Sequence, residues 1–416
     1  MTNPETLGFS SERLARITTW LEKQVSAKRL AGASALVARK GEVAYFETSG
    51  MSDVEAGKRF EKDTIVRAYS MTKPITTVAA MALYEEGCFQ LDDPISLYIP
   101  EFSEMEVWLG GKAALDQTEP AAEPITVRHI MTHTSGLTYG FMNTNVVDQA
   151  YRHAHLAAPS TIPDLATWAK TLAKIPLICQ PGTSWNYSVS TDVLGRLVEI
   201  WSGLSLNEFF KTRIFEPLQM VDTGFKVARE KESRFAALYS PLMGSDMSGV
   251  AKASSASIGT KLVDGSSTSA SFNEPAVLSG GGGLMSTMSD YARFCQMLLN
   301  GGELDGNRIL GRKTVAYMRQ NQLPDNKDMA AMGQPVWSET NYDGIGFGLG
   351  YAVVIDPVKA HIITSPGEYH WGGAASTFFW IDPEEDLYVI FLTQLIPSST
   401  YPIRRELRAR VYQALC

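Results

Sequence analysis

The stretch RAYSMTKPITTV, residues 67–78, sets Ser70 and Lys73 three positions apart where a helix is predicted to begin. Residues i and i+3 share one face of a helix, and Pro74 suits the first helical turn, where its missing N–H is not needed. The helix dipole favours negative charge on a serine oxygen placed there. A neutral Lys73 would accept the Ser70 proton if burial or neighbouring cations lower its pKa. By itself, however, the pattern is more commonly a helix-capping serine beside a surface lysine.

The composition is that of a soluble globular protein. The chain has 416 residues, of which 44% are hydrophobic and 20% charged, enough for two domains. A net charge of −8 argues against nucleic acid and anionic membranes as partners. The N-terminus lacks a signal-peptide pattern and no 18-residue apolar run occurs, so the predicted location is cytoplasmic. The four cysteines are expected to be reduced thiols.

The two ends of the chain have similar patterns. An amphipathic helix is predicted over residues 10–28, followed by a hairpin turning at Lys40-Gly41. Near the other end, residues 346–356, 369–382 and 386–395 are strand-like, and a closing helix is predicted over 402–415. The predicted fold class is therefore α+β, an α/β sandwich in which one antiparallel sheet is flanked by the N- and C-terminal helices.

The middle of the chain is mostly helical. Helices are predicted over residues 72–88, 126–133, 164–175, 191–202 and 288–300, and residues 244–280 are predicted to form an irregular surface excursion. The predicted α/β domain is discontinuous and comprises residues 8–85, 190–215 and 275–416. A helical and irregular domain, residues 86–189 and 216–274, is inserted into it. A cleft between the two is the expected place for a site.

Two further stretches bear on the role of Ser70. Tyr187 precedes an amphipathic helix on a loop, where its hydroxyl either packs or relays protons to and from the serine oxygen. The stretch HWGGAAST, residues 370–377, places two glycines inside a strand. Interior glycines mark either a bulge or the close approach of a ligand or another backbone.

Together these pieces resemble the serine β-lactamase and DD-peptidase superfamily, in particular its class C-like branch with the family VIII carboxylesterases. The fungal statin acyltransferases are similar as well. The resemblance runs from about residue 10 to 400, and its supporting stretches are GCFQLDDPISLYIPEF (87–102), ITVRHIMTHTSGL (125–137), PGTSWNYS (181–188) and SGGGGLMSTMSDYARF (279–294). It implies the β-lactamase/transpeptidase-like fold.

The resemblance also implies roles for individual residues. Ser70 would be the acyl-accepting nucleophile, Lys73 its base, and Tyr187 a shared acid and base, partly ionised, that passes a proton to the leaving alkoxide. The backbone N–H groups of Ser70 and Ala374 would form the oxyanion hole. The third motif of the family matches Trp371, Gly372 and Gly373, which with Tyr139 are the predicted substrate-binding residues. No cofactor and no metal are expected.

Departures from the family pattern bear on the substrate. Members that act on penicillins or peptidoglycan usually carry Lys or His followed by Thr-Gly in the third motif, where this chain has Trp371 and Gly372. Their Tyr-x-Asn motif here ends in Val189. Because an unpaired carboxylate in an apolar cleft is costly, the predicted substrate is a short-chain neutral ester, cleaved by a carboxylesterase. An acyltransferase, a weak β-lactamase and a non-turnover acyl-binding sensor remain alternatives.

Other site types fit the sequence less well. No G-x-S-x-G occurs, so an α/β-hydrolase elbow is not predicted. His129 and His133 have the i, i+4 spacing of zinc ligands, but no glutamate follows His129 and no third ligand is evident, so structural roles are predicted. Gly280 to Gly283 lack the Lys-Ser/Thr of a phosphate loop and are predicted to be a chain turn under the cleft. The predicted partner is a small ester, and no oligomeric state is predicted.

Overall fold

A computed structural model of the chain describes residues 2–157, 161–242, 258–333, 342–398 and 400–416. These residues contain twelve α-helices and sixteen strands. The helices are α1 (Ser11–Ser26), α2 (Thr72–Glu85), α3 (Val127–Met131), α4 (Val146–His153), α5 (Leu165–Leu172), α6 (Ser190–Ser202), α7 (Leu206–Phe210), α8 (Met288–Leu299), α9 (Arg312–Met318), α10 (Met329–Met332), α11 (Pro357–Ala360) and α12 (Ile403–Tyr412). The strands are β1 (Gly32–Arg39), β2 (Glu42–Asp53), β3 (Lys58–Arg59), β4 (Val66–Arg67), β5 (Glu106–Trp108), β6 (Thr118–Pro120), β7 (Leu238–Pro241), β8 (Thr260–Asp264), β9 (Met285–Ser286), β10 (Glu303–Leu304), β11 (Asn307–Arg308), β12 (Ile345–Phe347), β13 (Ala352–Val354), β14 (Tyr369–Gly372), β15 (Phe378–Asp382) and β16 (Leu387–Thr393).

One eight-stranded antiparallel sheet joins the two ends of the chain. Its strand order is β12-β13-β14-β15-β16-β1-β2-β3, and the two ends meet where β1 pairs with β16, with Ala35 opposite Phe391. Every residue of β16 is buried, as expected for a central strand covered on both faces. The predicted sharing of one sheet by the two ends, and the α+β fold class, are confirmed.

The terminal helices pack together on one face of this sheet. Helix α1 begins where the Ser10 side chain accepts a hydrogen bond from the Arg13 backbone N–H, which satisfies one of the donors left open at a helix start. Its buried stripe includes Leu14, Ile17 and Leu21. These side chains share one apolar core with residues of β1, β15, β16 and α12.

The opposite face of the sheet is covered by helices from the middle of the chain. Helix α2 is buried from Thr72 to Leu83 and packs against α6, while α8 packs against β15 and β16. Helix α2 is also tied to its neighbours by polar contacts: Thr76 Oγ1 donates to the Gly280 carbonyl over 2.7 Å. The start of α2 is thereby held rigidly between the sheet and the helices. The division into two domains stays a prediction.

Two parts of the chain differ from their predicted form. Residues 244–257 of the predicted irregular excursion lie outside the described residues, but β8 within the same segment pairs with β7, so an irregular form is wrong there. The Thr-Lys-Leu-Val-Asp run of β8 includes the β-branched residues Thr260 and Val263, which favour a strand, and its three central residues are exposed. The stretch 346–356 contributes to two strands, because Gly350 at φ +91° lies in the turn between β12 and β13.

The described residues include no helix with the length and apolar character needed to cross a bilayer. They also hold no group of three His, Cys, Asp or Glu side chains arranged to bind a metal ion. The four cysteines are free thiols, and Cys295 is fully buried.

Candidate active site

Ser70 lies in a short 3₁₀ turn, Tyr69–Met71, that leads directly into α2. The chain entering the turn is held by the pairing of β4 with β9 and by the Ala68 backbone N–H, which donates to the Leu284 carbonyl over 2.9 Å. Tyr69 has φ +47°, a left-handed conformation that is unusual for a bulky residue. The backbone on both sides of Ser70 is therefore fixed by tertiary contacts rather than by local preference.

Lys73 is fully buried beside Ser70. Its Nζ lies 3.4 Å from Ser70 Oγ and donates hydrogen bonds of 2.8 Å each to the Tyr139 hydroxyl and the Gly281 carbonyl. Burial lowers the pKa of Lys73 to about 7, although the charge of Asp192 acts in the opposite direction. A lysine with this pKa is partly neutral at physiological pH, so it can accept the Ser70 proton.

Tyr187 contacts the same serine oxygen from the loop before α6. Its hydroxyl donates to Ser70 Oγ over 2.5 Å, and the residue is 5% exposed. Burial raises the pKa of Tyr187 above the ordinary value of a phenol, an effect that the hydrogen bond with Ser70 partly offsets. Burial thus favours the neutral phenol, whereas the family resemblance implies a partly ionised one, and the role of Tyr187 as a shared acid and base stays a prediction. In its neutral form Tyr187 can donate a proton.

Two residues near Lys73 have positions that the sequence does not reveal. Asp192, in the first turn of α6, is buried and accepts hydrogen bonds from Ser279 Oγ (2.5 Å) and the Gly281 backbone N–H (3.0 Å). Burial raises its pKa, and the attraction of Lys73 opposes that rise. In sequence it resembles any acidic residue in a first helical turn. Tyr139 accepts a hydrogen bond from Lys73 and also lines a cavity at Ser70, and its predicted role in substrate binding stays a prediction.

Gly372 and Gly373, at the end of β14, let this strand approach the 3₁₀ turn that carries Ser70. A Cβ on Gly373 would lie 2.3 Å from both the Ala68 carbonyl and Thr377 Oγ1, a distance that no side chain tolerates. The Gly373 backbone N–H donates to the Thr377 carbonyl over 2.7 Å. This close approach puts Ala374 and Ser70 in the walls of the same cavities. That their N–H groups form an oxyanion hole stays a prediction.

Two cavities meet at Ser70, and Tyr187 and Ala374 also line both of them. The larger has a volume of 380 Å³. Its walls are mostly apolar and include Phe141, Tyr151, Leu156, Trp168, Val189 and Val277. The smaller cavity, of 60 Å³, extends beneath Trp371 and Gly372 towards His370, Ser398, Arg404 and Arg408. The serine thus has a wide apolar space on one side and, on the other, a narrow one whose walls combine apolar side chains with a few charged ones.

A buried ion cluster forms the base of the smaller cavity. The Glu368 carboxylate accepts hydrogen bonds from Arg408 Nε (3.1 Å) and a second guanidinium nitrogen (2.7 Å), and His370 Nδ1 lies 2.8 Å from the same carboxylate. Glu368 is fully buried. His370, for which the sequence shows no partner, therefore belongs to a charged cluster that ties β14 to α12.

The other histidines and glycines singled out in the sequence have structural contacts. His129 closes a capping box with Thr126 at the start of α3. His133 is buried, and its Nδ1 lies 3.1 Å from Ser188 Oγ. Gly280–Gly283 form a turn beneath the cleft, as expected. No pattern in the sequence indicates that the carbonyl of Gly281 accepts a hydrogen bond from Lys73.

Comparison with known proteins places the whole chain in one family. The beta-lactamase family model matches residues 17–413. Protein Rv1367c of Mycobacterium tuberculosis is 34% identical over 377 residues, 89% of this chain and 87% of that protein. Esterase EstB of Burkholderia gladioli is 31% identical over 413 residues, 96% of this chain and 95% of EstB. The solved structure of EstCE1, a hydrolase with promiscuous acyltransferase activity, is 26% identical, covers 96% of this chain and 99% of its own, and has a TM-score of 0.78. The chain belongs to the beta-lactamase family.

Proposed function

We propose that this protein is a serine carboxylesterase of the family VIII type that hydrolyses esters with a short, neutral acyl group through an acyl-enzyme on Ser70. The observation that carries the proposal is that Lys73 Nζ and the Tyr187 hydroxyl both contact Ser70 Oγ, at the point where an apolar cavity opens. A serine hydrolase activity on this fold is consistent with the similarity to EstB, which is named an esterase.

In the proposed acylation step, Ser70 Oγ attacks the ester carbonyl while neutral Lys73 accepts the serine proton. The N–H groups of Ser70 and Ala374 stabilise the negative charge that develops on the carbonyl oxygen. Tyr187 then gives its proton to the departing alkoxide, and the Lys73 proton restores the phenol. The net result is an acyl-enzyme and an alcohol that carries the former serine proton.

In the proposed deacylation step, water takes the place of the alcohol and the proton transfers run in reverse. The Lys73 and Tyr187 pair removes a proton from the attacking water, and the new C–O bond replaces the bond to Ser70 Oγ. The serine leaves with a proton from the same pair. The carboxylic acid product and the free enzyme complete the cycle without a cofactor.

The walls of the larger cavity favour an ester over a penicillin or a peptide. Val189 lines this cavity at the position where penicillin-acting relatives carry an asparagine, so no amide is present there to bind an acylamino group. Trp371 fills the place of their lysine or histidine. An apolar acyl group loses nothing in such a site, whereas a polar side chain left without partners is costly.

Acyl transfer is a second candidate, favoured by the similarity to EstCE1, which is described as having promiscuous acyltransferase activity. An acyl-enzyme facing an apolar space can react with an alcohol instead of water, since both attack the same carbonyl. The balance depends on which acceptor occupies the position next to Tyr187.

The test is a series of p-nitrophenyl esters of increasing acyl length, assayed beside nitrocefin and repeated with a competing alcohol. Sustained turnover that is highest for short acyl chains supports the esterase, and Ser70→Ala should abolish it while the far-UV circular dichroism stays unchanged. A single burst without turnover would indicate an acyl-binding sensor. Nitrocefin turnover above ester turnover would refute the substrate assignment. Transesterified product in excess of acid would identify an acyltransferase.

A further inference from the structure

We propose that the indole N–H of Trp371 is a positioning group for Tyr187 that stabilises the phenolate formed when Tyr187 protonates the leaving alkoxide. This inference rests on the proposed function and assigns a reaction role to Trp371 in addition to its place in the substrate cleft. It concerns the departure of the alcohol, a step whose difficulty varies with the alcohol.

The Trp371 indole is buried next to Tyr187, and its N–H makes at most a weak hydrogen bond there. The two ring centroids are 5.5 Å apart at an interplanar angle of 53°, and Trp371 is 7% exposed. Its Nε1 is buried and makes no hydrogen bond of full geometry among the described residues, but it lies close enough to the Tyr187 hydroxyl to act on it as a weak donor. A buried donor without a well-formed hydrogen bond costs about 1–3 kcal/mol, and an acceptor that gains negative charge during the reaction would recover that cost.

Tyr187 Oη is the acceptor that fits. In the resting structure this oxygen donates its proton to Ser70 Oγ, and indole N–H groups only donate. Trp371 and Tyr187 both line the smaller cavity together with Ser70. The indole already lowers the pKa of Tyr187, an effect smaller than that of burial and of the Ser70 hydrogen bond. Catalytic hydrogen bonds are often long or poorly aligned before substrate binds and shorten as charge develops.

A phenolate in this site needs such a donor because it is formed in a buried place. Lys73 has its Nζ 4.6 Å from the centre of the Tyr187 ring, but its hydrogen bonds point to Tyr139 and to the Gly281 carbonyl. The charge of Arg404 lowers the pKa of Tyr187 by less than the indole does. A neutral donor at position 371 can stabilise the phenolate without adding a positive charge to the cleft. A tryptophan at position 371 therefore suits a neutral substrate, because its indole N–H can stabilise the phenolate without attracting an anionic substrate.

Trp185 offers a matched control. Its ring stacks on Tyr187 with centroids 6.4 Å apart at 17°, it is 1% exposed, and its Nε1 likewise has no partner among the described residues. Unlike Trp371, it does not line either cavity. Replacing either tryptophan by phenylalanine removes one indole N–H from the surroundings of Tyr187. Only the change at 371 removes it from the cavity that Ser70 lines.

The experiment measures kcat/KM for two butyrate esters, p-nitrophenyl butyrate and ethyl butyrate, in the wild type, Trp371→Phe and Trp185→Phe. Ethoxide needs a proton to leave, whereas p-nitrophenolate does not. We expect Trp371→Phe to lower kcat/KM for the ethyl ester by about tenfold or more and for the nitrophenyl ester by less than about threefold. Trp185→Phe should leave the ratio of the two values unchanged. Because both esters are assayed on one preparation, the ratio is independent of the fraction of protein that folds.

The outcomes separate this inference from the proposed function. If the wild type turned over neither ester, the esterase assignment itself would fail. If the wild type cleaved both and Trp371→Phe lowered the two values equally, or lowered neither, the role of the indole N–H would be refuted. The same refutation would follow if Trp185→Phe changed the ratio as much as Trp371→Phe.

Discussion

The hydroxyl of Tyr187 donates a hydrogen bond to Ser70 Oγ over 2.5 Å. Burial of the ring raises its pKa, so the proton remains on the phenol until a stronger base forms. A departing alkoxide is such a base, and Tyr187 is placed to protonate it. The short contact thus connects the proposed nucleophile to the proposed general acid.

Tyr187→Phe is therefore expected to lose activity without losing the fold. The substitution keeps the buried ring and removes one hydroxyl, so the free energy of unfolding should change by about 1 kcal/mol or less. General acid catalysis contributes about 10²–10⁴-fold, and kcat/KM for an alkyl ester should fall by that factor. Ester assays with urea unfolding as the control check this. Retention of most of the wild-type rate would exclude Tyr187 as the acid.

The pH dependence of activity should follow the ionisation of Lys73. Its pKa is lowered to about 7 by burial, and only the neutral amine can accept the Ser70 proton. The value of kcat/KM is therefore expected to be low below pH 6, to rise through about pH 7, and to level off above pH 8. The measurement is kcat/KM for one ester across this range. A profile that stays flat between pH 6 and 9 would contradict the role of Lys73 as the base.

Asp192→Asn should move that rise to lower pH. The Asp192 charge opposes the effect of burial on Lys73, so its removal lowers the pKa of the lysine further. The asparagine oxygen can still accept the hydrogen bonds from Ser279 and the Gly281 N–H, which limits the structural change. A matched control is Asp290→Asn, since Asp290 is also buried and hydrogen-bonded but lies on α8 beside Thr223. We expect the profile to shift in the first variant only, and a shift to higher pH would contradict the electrostatic coupling.

Much of this fold follows from local patterns in the sequence. Apolar strands are predicted at both ends of the chain, and they can be buried together in one sheet. The pairing of β1 with β16 joins them. The helix that follows Ser70 was indicated by the position of Pro74 and by the apolar run after it. Patterns with a period of two or 3.6 residues report which face of an element is buried, and that information decides the architecture.

The environment of Lys73 cannot be predicted from such patterns. Its partners Tyr139 and Gly281 come from segments distant in the chain, and Asp192 has an ordinary first-turn position. Whether a lysine is fully buried depends on how several elements pack, which no local pattern records. The family resemblance supplied the roles of Ser70, Lys73 and Tyr187, while the hydrogen bonds and the lowered pKa of Lys73 come from the tertiary structure.

Gly373→Ala tests the close approach of β14 to the 3₁₀ turn that carries Ser70. The new Cβ would lie 2.3 Å from the Ala68 carbonyl and from Thr377 Oγ1, so the strand or the Ser70 turn must move. Overpacking of this kind costs about 1–3 kcal/mol of stability. Loss of one oxyanion donor by the same movement would lower kcat by about 10²–10³-fold.

Gly224→Ala is the control for this prediction, because a Cβ there meets only the Lys226 carbonyl at 3.7 Å. Ester assays and thermal unfolding of both variants give the comparison. We expect the change at position 224 to leave kcat within about twofold of the wild type. Equal activity of the two variants would show that the approach of Gly373 to the turn has no part in shaping the oxyanion site.

The final prediction concerns the stability contributed by Glu368. Burial alone would raise the pKa of this carboxyl, but the attraction of Arg408, with the hydrogen bond of His370, outweighs it and lowers the pKa to about 2 from an ordinary 4.5. A carboxylate with a lowered pKa stabilises the fold fully above the unfolded-state value and loses that contribution as pH falls towards 2. Glu368→Gln removes the negative charge from a buried cluster and should cost about 3–5 kcal/mol of unfolding free energy at pH 7.

The difference between wild type and Glu368→Gln should shrink when unfolding is measured below pH 4.5, because the wild-type carboxylate then loses its advantage. Glu385→Gln is the control: Glu385 pairs with Arg39 over 2.6 Å but its side chain is 33% exposed, and the cost there should be below about 1 kcal/mol. Urea unfolding at pH 7 and pH 4 gives all the values needed. An equal cost for the two variants at pH 7 would mean that the buried Glu368 cluster contributes no more to stability than the partly exposed Glu385–Arg39 pair.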